Sequence, residues 1–121
     1  MTDKPNGKPA TEQEQAVIVW IRLADDDSGS TEEREHFFKV EDEVLRAVEN
    51  SGAGEYDGNE IGEGFFKLYT YGPSAERLWD IIVPVLKQFQ IPSGSYVVKR
   101  YGRPGSKQDR IVLQPGSAQP S

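Results

Sequence analysis

The chain has 121 residues, of which 20 are acidic and 14 are basic, so its net charge is −6. This length is typical of one domain, and the negative charge disfavours general binding to nucleic acids or anionic membranes. The chain has no cysteine, which excludes disulfides, thiolate catalysis, iron–sulfur clusters and cysteine zinc sites.

The charges are unevenly distributed along the chain. Residues 24–63 contain 14 acidic and 3 basic residues, a net charge of −11, whereas residues 95–121 contain 5 basic residues and 1 acidic residue, a net charge of +4. We define a basic segment within that second stretch as Lys99, Arg100, Arg103 and Lys107. The sequence therefore predicts a molecule with an acidic end and a basic end.

Both ends of the chain are polar and lack a periodic apolar pattern. Residues 1–14 and residues 115–121 are expected to be disordered tails on either side of a single domain at 15–114. The N-terminus has no apolar core of the kind found in signal peptides, and no apolar run approaches the length that spans a membrane. We therefore expect a cytoplasmic protein with no membrane contact.

The domain begins with a strand and a helix. Residues 15–23 form a β-branched apolar run that is typical of a central strand. The motif Ser30-Thr31-Glu32-Glu33 predicts a capping box in which Ser30 is the N-cap and Glu33 reaches back to its amide. A helix to about Asn50 follows.

Glu41 falls within the apolar half of this first helix. This position leaves three alternatives: an interruption of the helix near Val40, a carboxylate at the rim of the packed face, or a buried carboxylate with a perturbed pKa.

The second half of the domain contains a hairpin, a helix and two strands. Residues 55–64 predict an irregular edge strand and a glycine-rich turn, paired with an aromatic strand at 64–71. A helix is predicted from Ser74 to Phe89, with Pro84 on its solvent side, and strands are predicted at 95–101 and 110–113. The order of elements predicts an α+β fold, a ferredoxin-like βαββαβ sandwich with an extra C-terminal strand and both helices on one face of an antiparallel sheet.

Alternation along the two central strands predicts an uncovered aromatic face. The aliphatic residues belong under the helices, which leaves six candidate binding residues on the other face: Trp20, Arg22, Phe65, Lys67, Tyr69 and Tyr71. Three uses compete for this face. A tail, the fifth strand, a second copy or a protein partner covers it, or it stacks nucleic-acid bases, or it borders a small-molecule pocket.

The base-stacking alternative comes from a resemblance. Val19-Trp20-Ile21 resembles the start of the strand-1 motif of the RNA-recognition motif family, and Gly64-Phe65 resembles the start of its strand-3 motif. The resemblance implies single-stranded nucleic-acid binding on the open sheet face. Glu63, however, replaces the basic residue that begins the strand-3 motif.

A second resemblance concerns regulation. Glu55-Tyr56-Asp57-Gly58 resembles a short stretch of the ribonuclease E inhibitor RraB family, small acidic ferredoxin-like proteins that regulate an enzyme by binding it. The long acidic tail of that family has no counterpart here. The resemblance implies an acidic, non-catalytic, protein-binding role.

Motifs for enzymatic chemistry are incomplete. His36, the only histidine, lies among acidic residues and has no cysteine or serine-elbow partner, and Asp25-Asp26-Asp27 lacks the alternating ligands of a calcium loop. Residues 102–107 have the composition of a phosphate loop without its Gly-Lys-Ser/Thr. The sequence thus predicts no catalytic residue, metal or cofactor, and a non-enzymatic binding or regulatory module that contacts a protein partner or a second copy. Single-stranded nucleic-acid binding is the alternative.

Overall fold

The structure, a computed structural model, describes residues 14–24 and 30–113. The predicted tails lie outside the described residues apart from Glu14, as does the Asp25-Asp26-Asp27 loop. The elements follow the predicted order: β1 (Gln15–Arg22), α1 (Thr31–Ser51), β2 (Glu55–Gly62), β3 (Phe65–Gly72), α2 (Ala75–Leu86), β4 (Tyr96–Arg100) and β5 (Gln108–Val112).

The five strands form one sheet in the order β2-β3-β1-β4-β5, and every neighbouring pair is antiparallel. The predicted α+β class is confirmed, and the strand order is compatible with a ferredoxin-like fold. β5 pairs with β4 at the edge of the sheet. The fifth strand therefore extends the sheet instead of covering its aromatic face, which corrects one of the alternatives raised above.

Alternating residues of the central strands form the core. Val17, Val19 and Ile21 of β1 have no exposed surface, and Phe66 and Leu68 of β3 are equally buried. Both helices contribute to this same apolar cluster and contact each other, so they lie on one face of the sheet. Burial of each such side chain contributes roughly 1.5–3 kcal/mol to folding.

Only one of the two hydrogen bonds of the predicted capping box forms at the N-terminus of α1. The Ser30 hydroxyl accepts a hydrogen bond from the Glu33 amide at 3.1 Å. The Glu33 carboxylate does not return to the Ser30 amide but accepts from the Ala24 amide at 2.6 Å. The reciprocal half of the predicted capping box is therefore wrong, because the end of β1 lies within reach of Glu33 and takes its carboxylate.

Two side chains of β2 hold the Glu41 carboxylate in position by hydrogen bonds. α1 is continuous through this residue, and the carboxylate lies partly exposed at the rim of the packed face. It accepts hydrogen bonds from the Tyr56 hydroxyl and from Asn59 Nδ2, the latter at 2.7 Å. Burial of the phenol, followed by its hydrogen bond to Glu41, raises the pKa of Tyr56. Of the three alternatives, the rim carboxylate is correct.

α2 ends three residues before the predicted boundary. Its last turn tightens, because the amides of Gln88 and Phe89 donate to carbonyls three residues back, at 3.0 and 3.1 Å. Pro84 lies inside the helix on the exposed side, as predicted.

The β2–β3 hairpin is closed by a two-residue turn. Glu63 and Gly64 have φ angles of 54° and 86°, as in the type I′ turn that suits the twist of a hairpin. A bulge between Tyr56 and Gly58 interrupts β2, which is the edge strand. The predicted irregular edge strand is confirmed.

Two glycines permit a close backbone crossing at the other end of this hairpin. A Cβ atom on Gly54 would lie 2.1 Å from the carbonyl oxygen of Tyr71, and one on Gly72 would lie 2.3 Å from that of Ala53. Any side chain at either position would therefore separate the α1–β2 connection from the end of β3.

We expect Gly54→Ala and Gly72→Ala each to lower the free energy of unfolding by at least ~2 kcal/mol, since backbone atoms must move to admit the methyl group. The matched control is Gly62→Ala, where a Cβ atom meets nothing within 4 Å. That variant should be neutral or stabilised by roughly 0.5 kcal/mol. Chemical denaturation measures all three, and equal stabilities would contradict the close crossing.

Candidate functional site: the open face of the sheet

The side of the sheet away from the helices is the candidate site, and we call it the open face. Within residues 14–24 and 30–113 no helix or strand lies over it. Strand register places on it the six predicted residues together with Ile18, Tyr96, Val98, Arg100, Arg110 and Val112. Of the predicted six, Arg22 is exposed and the other five are partly exposed, so alternation placed all six correctly.

The centre of the open face is a row of four side chains that crosses four strands. Lys67 Nζ lies 4.3 Å from the centroid of the Trp20 ring, and the Trp20 and Tyr96 rings stack 5.2 Å apart with an interplanar angle of 15°. Arg110 Cζ lies 3.8 Å from the centroid of Tyr96. We call this row the aromatic ladder: Lys67, Trp20, Tyr96 and Arg110.

The order of the strands determines what the ladder leaves exposed. β1 lies between β3 and β4, and β4 lies between β1 and β5. Trp20 therefore meets Lys67 on one side and Tyr96 on the other, while Tyr96 meets Trp20 and Arg110. The faces of both rings are covered by neighbouring side chains of the same chain. A ligand could therefore contact mainly the edges of the rings and the two cations, Lys67 and Arg110. Each such cation–π contact contributes about 0.5–1 kcal/mol at an exposed site.

Phe65 completes the aromatic cluster beside the two central members of the ladder. Its ring meets Trp20 at 5.4 Å and 82°, and Tyr96 at 5.8 Å and 73°, both in edge-to-face geometry. Arg22 Cζ lies 5.5 Å from its centroid. Three rings thus hold one another in place, and a cation lies against each of them.

One polar atom of the cluster lacks an acceptor. Trp20 Nε1 is buried and makes no hydrogen bond within the part of the chain that the structure describes. The indole is therefore held by ring packing and by Lys67, not by a hydrogen bond of its N–H group.

Tyr69 lies beside the ladder and is tied to the β2 edge. Its hydroxyl donates to Glu60 Oε1 at 2.7 Å, and Lys67 Nζ lies 3.4 Å from the same oxygen. Burial, followed by the hydrogen bond to Glu60 and the charge of that carboxylate, raises the pKa of Tyr69 to about 12. The same phenol, followed by Lys67, lowers the pKa of Glu60.

The basic segment does not act as one surface. Lys99 is 8% exposed and lies on the helix side of β4, where its Nζ contacts Glu76 Oε2 at 2.9 Å. Only Arg100 belongs to the open face, and its Nε donates to the Gly102 carbonyl at 2.9 Å. Arg103 and Lys107 are exposed in the β4–β5 loop. The basic segment predicted from charge is therefore divided between the two sides of the sheet, because neighbouring strand residues such as Lys99 and Arg100 point to opposite faces.

Sequence reasoning missed two of the four members of the aromatic ladder, Tyr96 and Arg110. The signal was present, since the alternation that placed Trp20 also places Tyr96 and Arg100 on one side of β4. Arg110 required the β4–β5 register, which places Arg110 opposite Val98.

The open face is basic although the chain is acidic. Its four cations, Arg22, Lys67, Arg100 and Arg110, lie on β1, β3, β4 and β5, whereas its two carboxylates lie on the β2 edge. The net charge of the face is therefore +2, against −6 for the whole chain. The carboxylates are Glu55 and Glu60.

A second concavity lies between α1 and the segment after α2. It is a groove of about 810 Å³ lined by residues that include Glu33, His36, Phe89 and Ile91. The His36 ring contacts Phe37 and Phe89 at centroid distances of 5.0 and 5.9 Å, so this histidine packs on aromatic rings instead of standing free in solvent. Among the described residues, no group of three or more His, Cys, Asp or Glu side chains is arranged to hold a metal ion.

Comparison with protein-family models, curated proteins and solved structures found no match. Of the helices in the described ranges, neither is long and apolar enough to cross a bilayer. The open face must therefore be interpreted from its own geometry.

The Tyr69–Glu60 hydrogen bond predicts a specific alkaline titration. The folded-state pKa of Tyr69, about 12, exceeds the ordinary value of 10.0. Its contribution to stability is thus complete below pH 10 and is lost as pH rises towards 12. The difference in tyrosinate absorbance between the wild type and Tyr69→Phe should have a midpoint near 12. In a Glu60→Gln background this midpoint should fall. A midpoint near 10 in both backgrounds would contradict the hydrogen bond.

Proposed function

We propose that this protein is a non-enzymatic binding or regulatory module, and that the open face of its sheet makes the contacts with a protein partner. We also propose that the fold is ferredoxin-like. The order β2-β3-β1-β4, with two helices on one face, supports that assignment.

The observation that carries the proposal is the aromatic ladder. Tryptophan, tyrosine and arginine are the residue types that most often dominate the energy of protein interfaces. All three occur together in the ladder and its surroundings on the open face, held rigid by stacking and by cations. A rigid set of anchors loses little conformational entropy when a partner binds.

The ladder also argues against base stacking. A nucleic-acid platform needs a ring face on which a base can lie. Here Trp20 and Tyr96 occupy each other's faces, and Lys67 and Arg110 lie on the remaining sides. A base could approach only their edges, whereas protein side chains and backbone carbonyls pack readily against ring edges and arginine.

A regulatory role fits the rest of the chain. The resemblance of residues 55–58 to the RraB family belongs to this proposal, since that family acts by binding an enzyme. In this structure the same four residues include the β2 bulge, and Tyr56 in addition binds Glu41. Tyr56 and the bulge serve the fold, so the contacts with a partner are assigned to the open face, to which this segment contributes only Glu55.

The test compares two arginines that differ in their position relative to the open face. Arg110 lies on the aromatic ladder, and Arg103 is an equally exposed arginine in the preceding loop. Proteins retained from a lysate of the source organism by the tagged wild-type chain should be retained by Arg103→Glu. Their recovery should fall about tenfold or more with Arg110→Glu, the loss expected for one interface hot spot. Quantitative mass spectrometry measures the recovery.

The alternative functions make different predictions for the same proteins. Micromolar binding of single-stranded RNA at physiological salt, lost with Tyr69→Ala, would replace the proposal by a nucleic-acid platform. Catalysis that a single side-chain change abolishes would replace it by an enzyme. Equal recovery with Arg103→Glu and Arg110→Glu would exclude the open face as the interface.

A further inference from the structure

The open face has a complementary surface on the same molecule, the solvent side of α1. Among the residues that the structure describes, three large apolar side chains are exposed. Two of them lie on this helix: Phe38, which is 44% exposed, and Leu45, which is 37% exposed. At about 100° per residue, a narrow band of α1 contains them together with three acids. We call this band the α1 stripe: Glu35, Phe38, Asp42, Leu45 and Glu49.

The α1 stripe alternates acidic and apolar residues at helical spacing. All five of its residues are exposed. Arg46 contacts Asp42 at 2.6 Å from one side, and Glu49 accepts from the Tyr56 amide at 3.3 Å. The helix as a whole carries seven acidic and three basic residues. The stripe is thus an apolar ridge in a negatively charged setting.

We infer that the open face of one copy binds the α1 stripe of a second copy, so that the protein associates head to tail. This inference rests on the proposed function, since it names the partner of the open face. It assigns to one chain both halves of a single interface: the open face is basic and aromatic, and the α1 stripe is acidic and apolar.

Two copies could associate in three ways: face with face, stripe with stripe, or face with stripe. Charge favours the last of these pairings. Two open faces would bring Arg22, Lys67 and Arg110 against their own copies, and two α1 stripes would bring together Glu35, Asp42 and Glu49. Like charges brought together at an interface disfavour association. Only the pairing of open face with α1 stripe brings opposite charges together.

The two surfaces also match in size. The stripe runs from Glu35 to Glu49, a rise of 14 residue steps or roughly 21 Å at 1.5 Å per step. The sheet is four strand spacings wide, or roughly 19 Å. Since a helix on the uncovered side of a sheet is a common layer arrangement, the stripe can lie across the ladder with Phe38 and Leu45 against the ring edges.

Head-to-tail contact has a defined consequence. Such an interface uses different patches on the two copies, so each bound copy still offers one unused patch. Association should therefore continue beyond dimers as concentration rises, and salt should weaken it through the paired charges.

Two variants of the full chain, each damaging one patch, test the inference. The face variant carries Arg22→Glu and Arg110→Glu, and the stripe variant carries Phe38→Gln and Leu45→Gln. Arg103→Glu with Lys107→Glu reverses two charges in the β4–β5 loop and serves as control. Circular dichroism and thermal melting confirm that every variant is folded before sedimentation is measured.

Sedimentation velocity up to millimolar protein should show concentration-dependent growth for the wild type and for the control. Each patch variant alone should stay monomeric, because its self-association is weakened at least tenfold relative to that of the wild type. An equimolar mixture of the two patch variants should form a discrete species of twice the monomer mass, because one intact face meets one intact stripe.

Three outcomes would overturn the inference. The first is a wild type that is monomeric at every concentration, as when a terminal segment of the chain occupies the face. The second is a wild-type dimer that the stripe variant leaves intact. The third is a mixture of the two patch variants that remains monomeric. None of these outcomes contradicts the proposed function, which depends on the loss of captured proteins with Arg110→Glu. Conversely, RNA binding by the open face would overturn the proposed function even if the chain self-associates.

Discussion

The rest of the structure depends on β1, the central strand of the sheet, which pairs with β3 on one side and β4 on the other. Each of its residues faces either the helices or the open side, with no position in between. Val17, Val19 and Ile21 have no exposed surface, so the register of β1 against both neighbours is fixed by the core. A shift by one residue would expose all three and bury Arg22. The position of Trp20 on the open face therefore follows from the burial of residues on the opposite side.

The same constraint explains how a cation comes to lie against each ring. Once β1 is fixed, Trp20 stands opposite Lys67 on β3 and Tyr96 on β4. Side chains directly opposite in an antiparallel pair lie about 5 Å apart, within reach of stacking and cation–π contact. Arg22 likewise stands directly opposite Phe65, whereas Arg110 approaches Tyr96 from a diagonal position. The ladder thus needs no loop or cofactor to position it, and its geometry is as rigid as the sheet.

Sequence reasoning succeeded where the periodicity is strict and failed where partners are distant. Alternation on β1 and β3 placed Trp20, Phe65 and Tyr69 on the open face, because the aliphatic set of β1 identifies its buried side and β3 alternates strictly between buried and partly exposed residues. β4 has no such set, since Val97 and Val98 are both buried, and Lys99 was grouped with Arg100 by charge alone. Glu33 contacts Ala24, and the strand register brings Arg110 to Tyr96. In both cases the two residues come together only when the chain folds.

The β2 bulge determines which tyrosines the open face contains. Gly58 pairs with Tyr69, but the next pairs are Tyr56 with Thr70 and Glu55 with Tyr71, so Asp57 is one residue in excess. Beyond this point every side chain of β2 has changed sides. Without the bulge, a regular ladder would pair Asp57 with Thr70, and Tyr56 would stand opposite Tyr71 on the open face. With it, the ring turns towards α1 and reaches Glu41. The gain or loss of a bulge in an edge strand is thus a short evolutionary route by which such a surface loses or gains an aromatic side chain, while the core remains unchanged.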